Sequence, residues 1–126
     1  MDKATIPEDL RRFVLTSIPS VPFLEALLLL RADPAQAWRS DALASRLYIG
    51  ERVAHALLDE LCTAGMASLT APGYSYAPRS PALREHIDRL ADLYAKQLVE
   101  VTMLIHSSLD RKAQQFADAF KWRKDS

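Results

Sequence analysis

The amino-acid sequence predicts a mainly α-helical fold with a small β-hairpin and a long C-terminal helix. Three observations predict this fold class. Apolar residues recur at helical spacing over most of the chain, a Pro-Gly pair separates two short strand-like stretches, and an apolar stripe without glycine or proline runs from Leu83 to Phe120. The chain has 126 residues, 49% of them hydrophobic, so it has the length of a single domain and can bury a core.

Residues 1–18 are predicted to form one N-terminal helix. Thr5 can cap it, Pro7 suits the first turn, and Glu8 completes a capping box. The apolar face of this helix consists of Leu10, Phe13 and Val14. Pro19 is expected to end it.

A second helix is predicted to begin at Ser20-Val21-Pro22. Its second half is apolar all round, which is typical of a helix packed between other elements. Asp33-Pro34 ends it, because the residue before a proline avoids the helical conformation. Trp38 and Arg39 then fit a short strand or an extended link.

Two helices joined by a tight turn are predicted over residues 40–64. Ser40 or Asp41 caps the first helix, Gly50 supplies the backbone freedom for the turn, and Gly65 caps the C-terminus of the second helix, Glu51 to Ala64. The residues expected to point inward are Leu43, Ala44 and Leu47 from the first helix and Val53, Leu57, Leu58 and Leu61 from the second.

A β-hairpin is predicted directly after these helices. Its strands are expected over residues 66–70 and 74–77, joined at Ala71-Pro72-Gly73, where proline presets φ and glycine is expected to take a positive φ. Tyr74 and Tyr76 share one face of the second strand, and we expect their rings to cover the core rather than to stack on a partner.

Residues 80–126 are predicted to form a C-terminal helical dimerisation segment that begins after Ser80. Its apolar residues recur about every 3.7 positions, close to the spacing of an eleven-residue repeat. A helix of this length either pairs with its copy or breaks near His106-Ser107-Ser108 and folds back; we expect a break or bend there, and a homodimer in either case. The candidate dimer-interface residues are Leu83, Ile87, Leu90, Tyr94, Leu98, Val101, Ile105, Phe116 and Phe120.

The order helix, turn, helix, glycine stop and hairpin over residues 19–79 describes a winged helix-turn-helix. The pattern Leu43-Ala44-x-x-Leu47, Gly50-x-x-Val53, Leu57-Leu58-x-x-Leu61 and Gly65-Met66 with its tyrosine-rich wing is similar to bacterial winged-helix transcriptional regulators of the MarR and PadR type. That resemblance implies a dimeric, double-stranded DNA-binding regulator whose second motif helix enters the major groove. The candidate DNA-binding residues that it implies are Arg39, Ser45, Arg46, Arg52, His55 and Arg79.

Charge favours an alternative function. The chain has no net charge, and residues 19–79 carry five basic and six acidic side chains. The alternative is a winged-helix module that binds another protein and does not bind DNA directly. The C-terminal end is basic and aromatic, so it can hold DNA backbone, an acidic protein groove or a membrane surface, or its aromatics can pack on the dimer partner. Its residues are Arg111, Lys112, Phe116, Phe120, Lys121, Trp122, Arg123 and Lys124.

Catalytic, metal and membrane functions find little support. The three glycines are assigned to turns and caps, no Ser/His/Asp grouping stands out, and no His, Cys, Asp and Glu cluster has ligand spacing, so we expect no enzyme activity, cofactor or metal. Cys62 is the only cysteine, which excludes an intramolecular disulfide and predicts a small buried apolar residue. Without a signal-like or membrane-spanning apolar run, we expect a cytoplasmic protein that does not bind membranes.

Overall fold

A computed structural model describes residues 6–125, with the side chains of residues 6–118. This part of the chain is mainly helical and contains a small antiparallel sheet. The elements in order are α1 (Glu8–Ser17), α2 (Val21–Ala32), α3 (Ser40–Leu47), α4 (Glu51–Thr63), β1 (Ala67–Thr70), β2 (Gly73–Tyr76), α5 (Pro81–Lys96) and α6 (Leu98–Asp125). No single helix in it is both long and apolar enough to cross a membrane.

The apolar helix α2 lies at the centre of the core. It packs against α3, α4 and β2, and its side chains from Phe23 to Leu30 include five buried ones. The predicted start of this helix is confirmed, and Ser20 caps it by accepting a hydrogen bond from the backbone N–H of Phe23. The predicted cap of α1, Thr5, lies outside the described residues, and α1 begins at Glu8 after Pro7.

The hairpin pairs Ala67 with Tyr76 and Thr70 with Gly73, and the extended segment at Trp38 adds a bridge to Tyr74. Trp38 and Tyr74 exchange two backbone hydrogen bonds, with nitrogen-to-oxygen distances of 2.7 and 2.8 Å. The prediction that Trp38 is extended is therefore confirmed. Both hairpin tyrosines are buried, so their rings cover the core as expected.

Two glycines play roles that differ from the predicted ones. Gly73 lies in β2 rather than at a positive-φ turn position, and a side chain there would meet the backbone carbonyl of Trp38. Gly50 has an extended conformation at the start of α4, whereas the left-handed residue of the α3–α4 turn is Tyr48, with φ 56° and ψ 46°. The expected reasons for both glycines were wrong. The reason for Gly65 is confirmed, because its φ is 75° directly after α4.

The core face of α4 is rotated from the predicted one. Ala54, Leu57, Leu58 and Leu61 are buried, at the i, i+3, i+4, i+7 spacing of one helix face. Val53, which we expected to point inward, is 50% exposed. A small alanine at the buried position lets α4 approach α2 and α3 closely, whereas the branched Val53 lies toward solvent.

The C-terminal apolar stripe breaks, but at Gln97 and not near Ser107-Ser108. Gln97 leaves the helical conformation, with φ −132° and ψ 55°, and α6 then folds back against α1 and α5. The predicted break lies inside α6, which continues without interruption to Asp125. A break at Gln97 lets both halves of the stripe face one core, which is the fold-back solution at a different residue.

This fold-back corrects most of the predicted dimer interface. Ile87, Leu90, Tyr94, Val101 and Ile105 are buried in the core of their own chain, and Leu83 packs against it. Leu98 and Phe116 remain exposed, and the side chain of Phe120 lies outside the described residues. The first group is unavailable to a second chain, because its apolar surface is already covered.

Polar side chains connect α5 to the helices beneath it. The hydroxyl of Tyr94 donates to Glu25 on α2 at 2.8 Å, and the Arg31 guanidinium on α2 contacts Asp88 at 2.9 Å. Arg89 binds Asp9 on α1 through two of its nitrogens. The Arg89 guanidinium holds the pKa of the Asp9 carboxyl below its usual value.

Candidate nucleic-acid interface

The solvent face of α4 carries Arg52 and His55, two of the predicted DNA-binding residues. Its N-terminal half exposes Arg52, Val53 and Ala56, and its C-terminal half exposes Asp59 and Glu60. The helix N-terminus adds a partial positive charge near Arg52. Glu51 is exposed beside Arg52, so the side-chain charge is balanced at the beginning of α4 and negative at its end.

A hydrogen-bonded network lies on one side of α4. His55 contacts the hydroxyl of Ser40 through Nδ1 at 3.2 Å and the carboxylate of Asp59 through Nε2 at 3.3 Å. The hydroxyl of Tyr74 donates to the same carboxylate at 2.9 Å. The network orients the imidazole of His55 between α3 and β2, and it engages Asp59, one of the two acidic residues near the end of α4.

The network changes the acidity of the Tyr74 phenol. The hydrogen bond to Asp59 is the largest cause that raises the pKa of Tyr74 above its usual value of 10.0, and burial of the ring adds to it. A raised pKa means that the protonated phenol stabilises the folded state below pH 10.0, and that this contribution is lost as the pH rises through the folded-state pKa.

Replacing Asp59 tests this network. We expect Asp59→Ala to lower the pKa of Tyr74, because both the hydrogen-bond acceptor and the negative charge are removed. The measurement is an NMR titration of the Tyr74 ring signals. Glu60→Ala is the matched control, since Glu60 is the neighbouring exposed acid and does not contact the phenol. An unchanged Tyr74 pKa in Asp59→Ala would contradict the network.

Five of the six predicted DNA-binding residues lie on α3, α4 and the residue before α3. Ser45, Arg46 and Arg52 are exposed, and the Arg46 guanidinium lies over the Trp38 ring at 5.7 Å. Arg39 is exposed at the start of α3 and pairs with Asp41 at 3.5 Å. His55 belongs to the network described above. The α3–α4 pair thus brings these side chains onto adjacent helices.

Arg79 lies elsewhere. Its backbone N–H donates to the carbonyl of Gly65, and its side chain packs over that glycine at the C-terminal end of α4. Arg52 is near the other end of this 13-residue helix, which is about 20 Å long. The structure therefore does not bring Arg79 together with Arg52.

The sequence pattern did not identify three exposed apolar side chains of the α3–α4 turn, α4 and β1. Tyr48 on the α3–α4 turn is 94% exposed, Leu69 on β1 is 63% exposed, and Val53 lies on α4. A left-handed tyrosine is uncommon. The only sequence signal for Tyr48 is its position two residues before Gly50, the residue to which the pattern assigns the conformational freedom of the turn.

A groove of about 560 Å³ lies beyond the C-terminal end of α4. Ile18 and Phe23 contribute to its apolar lining, Asp59 and Glu60 to its acidic side, and Arg79 and Lys112 to its basic side. Cys62 is nearby on α4 and half-buried, and burial raises the pKa of its thiol. Over the part of the chain that the structure describes, no three His, Cys, Asp or Glu side chains could hold a metal ion.

Comparisons with family models, with curated proteins and with solved structures found no match to this chain.

Proposed function

We propose that this protein binds double-stranded DNA through α4 and acts as a bacterial transcriptional regulator with a winged helix-turn-helix. The packed α3–α4 pair and the hairpin that follows support this assignment. The bridge from Trp38 to the hairpin adds a third extended segment, as expected for such a motif. Among the residues described, the α4 surface offers the face that a major groove can admit.

The observation that carries the proposal is the position of Arg52. Arg52 is exposed at the N-terminal end of α4, where recognition helices approach base edges. Over residues 6–118 no carboxylate lies within ion-pair distance of it. Its guanidinium can therefore donate two hydrogen bonds to the O6 and N7 atoms of a guanine.

The flanking residues provide contacts of a different kind. Arg46 and Ser45 are exposed on α3 and can bind phosphate oxygens beside the groove. Arg39 can also bind a phosphate if its ion pair with Asp41 is broken and the phosphate replaces the carboxylate. Ala56 and Val53 can contact a thymine methyl group. Few phosphate contacts imply a shallow dependence of DNA affinity on salt.

The acidic residues limit how DNA can approach. Asp59 and Glu60 are unfavourable near phosphates, but both belong to the C-terminal half of α4. Glu51 lies at the N-terminus of α4, where the helix dipole stabilises its charge, and it can accept from a cytosine amino group. Only the first two turns of α4 are therefore expected to enter the groove.

The test is binding to duplexes selected from a randomised pool, measured by fluorescence anisotropy at low salt. We expect Arg52→Ala to weaken binding to the selected duplex about 5- to 150-fold, since a bidentate base contact contributes about 1–3 kcal/mol. Arg11→Ala is the matched control, because Arg11 is an exposed arginine on α1. The DNA affinity of this variant should equal that of the unmodified protein.

Two results would contradict DNA binding through α4. One is a failure to select any duplex, together with no binding to random-sequence DNA at micromolar protein. The other is equal loss of affinity in Arg52→Ala and Arg11→Ala, which would place the contact elsewhere or make it nonspecific. A circular dichroism spectrum of each variant establishes that the fold is retained.

A second candidate function is protein recognition through exposed apolar side chains of the α3–α4 turn and the hairpin. The observation that favours it is the exposure of Tyr48 and Leu69, since large apolar side chains on a surface without excess positive charge are typical of protein interfaces. We expect Tyr48→Ser to abolish binding of a protein partner and to leave DNA affinity unchanged if this function holds. Loss of DNA affinity alone in Tyr48→Ser would exclude it.

A further inference from the structure

Three side chains of the network beside α4 are connected in the order serine, histidine, aspartate. Ser40 begins α3, whereas His55 and Asp59 lie one turn apart on α4. The Ser40 hydroxyl lies 3.2 Å from Nδ1 of His55, and Nε2 of His55 lies 3.3 Å from a carboxylate oxygen of Asp59. A nucleophile, a base and a group that orients the base are therefore in contact. The sequence pattern did not reveal this grouping, because Ser40 and His55 are 15 positions apart.

The contacts of His55 select one tautomer of its imidazole. A carboxylate has no proton to donate, so the contact with Asp59 places the imidazole proton on Nε2. Nδ1 then has a free lone pair and can accept the proton of the Ser40 hydroxyl. The two ring nitrogens have exchanged the places that they occupy in a serine protease, but each contact has the same function.

Strand β2 holds the imidazole and the carboxylate in place. The hydroxyl of Tyr74 donates to the second carboxylate oxygen of Asp59 at 2.9 Å. The Tyr74 ring also meets the His55 ring edge on, with 6.5 Å between the ring centroids and 81° between the ring planes. Because Tyr74 is buried, these contacts restrict the rotation of two side chains that lie on the surface.

The N-terminus of α3 supplies hydrogen-bond donors next to the Ser40 hydroxyl. The first backbone hydrogen bond of α3 joins the Leu43 N–H to the Arg39 carbonyl, at 3.0 Å. The N–H groups of Ser40 and Asp41 precede this bond, so they have no acceptor within the helix. Together with the partial positive charge of the helix N-terminus, they can stabilise the oxyanion that forms when a carbonyl carbon is attacked by Ser40.

We propose that this protein hydrolyses small aryl esters, with Ser40 as the nucleophile and His55 as the general base. Oγ of Ser40 bonds to the acyl carbon while its proton moves to Nδ1 of His55. The bond from the acyl carbon to the aryloxy oxygen breaks, and this oxygen takes the proton from His55. Water then attacks the acyl carbon, its proton passes through Nδ1 to Oγ, and the serine is restored. The products are a phenol and a carboxylic acid.

The exposure of the site determines the class of ester. The side chains of His55 and Asp59 are 59% and 58% exposed, so an ester can reach Ser40 without entering a cavity. Water weakens the electrostatic stabilisation of an oxyanion at such a site. Aryl esters react with little stabilisation, because a phenolate is a weakly basic leaving group. Amides need much more, so we expect hydrolysis of aryl esters and no hydrolysis of peptides.

The first experiment locates the acyl group on the full chain after a short exposure to p-nitrophenyl acetate. We expect mass spectrometry of the acid-quenched protein to find the acetyl group on Ser40. Ser107 is an exposed serine on α6 and should remain unmodified in the same sample. Acetyl groups on lysines alone, or equal acetylation of Ser40 and Ser107, would overturn the proposal.

The second experiment compares variants by the release of p-nitrophenolate. We expect Ser40→Ala and His55→Ala each to lower kcat/KM by about 100-fold, as for the loss of general-base catalysis. Ser107→Ala and His106→Ala are the matched controls, because both residues are exposed on α6 and lie outside the network. Equal rates in all four variants, or equal losses in the two histidine variants, would contradict catalysis at Ser40.

Asp59 is a positioning residue, since it acts through His55 and does not touch the ester. We expect Asp59→Asn to lower the rate and to move the midpoint of its pH dependence to lower pH, because the carboxylate no longer favours the protonated imidazole. Glu60→Gln removes the neighbouring exposed acid and should change neither quantity. The same pH dependence in Asp59→Asn and the unmodified protein would exclude this role. These assays contain no DNA, so their outcome is independent of the proposed function.

Discussion

Gly73→Ala is expected to lower the free energy of unfolding by about 3 kcal/mol, as for a clash that shifts backbone and weakens two hydrogen bonds. A Cβ atom at this position would lie 2.5 Å from the carbonyl oxygen of Trp38 and 2.8 Å from its carbonyl carbon. Neither atom belongs to a flexible side chain. The Trp38 segment must move away from β2, and its two backbone hydrogen bonds to Tyr74 weaken.

The measurement is equilibrium unfolding in urea, followed by circular dichroism. Gly50→Ala is the matched control, since Gly50 has a φ of −68° and no atom within 4 Å of the added Cβ. We expect Gly50→Ala to change the unfolding free energy by less than about 1 kcal/mol. Alanine is a weaker N-cap than glycine, but it adopts the backbone conformation of Gly50 without strain and lowers the entropy of the unfolded chain. Equal losses in both variants would show that Gly73 does not contact Trp38 as described.

Ala54→Asp is expected to destabilise the folded state strongly. Ala54 has no exposed surface and faces the core with Leu57 and Leu58. A carboxylate there has no partner, and burying it should cost at least about 4 kcal/mol, much of the stability of a small domain. We expect the variant to be largely unfolded, with a circular dichroism spectrum of reduced helicity.

Val53→Asp is the neighbouring control. Val53 is 50% exposed in the first turn of α4, where the helix dipole favours a negative charge. Its unfolding free energy should lie within about 1 kcal/mol of that of the unmodified protein. The sequence pattern had Val53 pointing inward, so the pair of variants decides the rotation of α4. A severe loss in Val53→Asp and a mild one in Ala54→Asp would reverse the assignment.

Much of the fold could be predicted because it depends on local signals. Ser20 and Ser80 cap helices, Gly65 ends one, and the Pro-Gly pair divides the hairpin; each acts through neighbouring residues. The roles of Tyr48 and Gly73 could not be predicted in this way. The first depends on how the α3–α4 turn is closed, and the second on a segment 35 residues earlier in the chain.

Less of the candidate site could be predicted. The sequence singled out Arg52 and His55 because they follow the turn on an outward helical face. It did not indicate that His55 is held by Asp59 and Ser40, or that Asp59 is also held by Tyr74. These partners come from three different elements. Arg79 was grouped with them by its proximity to the hairpin in the sequence, but it lies at the opposite end of α4.

The sequence by itself determined the helical and strand elements, the packed α3–α4 pair and the amount of apolar surface that the C-terminal segment must bury. Only the tertiary structure decided where that surface goes. A period of about 3.7 residues shows that one helix face is apolar, but it contains no information on whether that face meets its own chain or another. After the break at Gln97, α6 packs against α1 and α5 and buries Val101 and Ile105, whereas Leu109 and Phe116 farther along the same helix remain exposed. The physical reason is that the hydrophobic effect is not directional: burying an apolar helix face lowers the free energy whether it packs on its own chain or on another. The backbone conformation at Gln97 decides that it packs on its own chain.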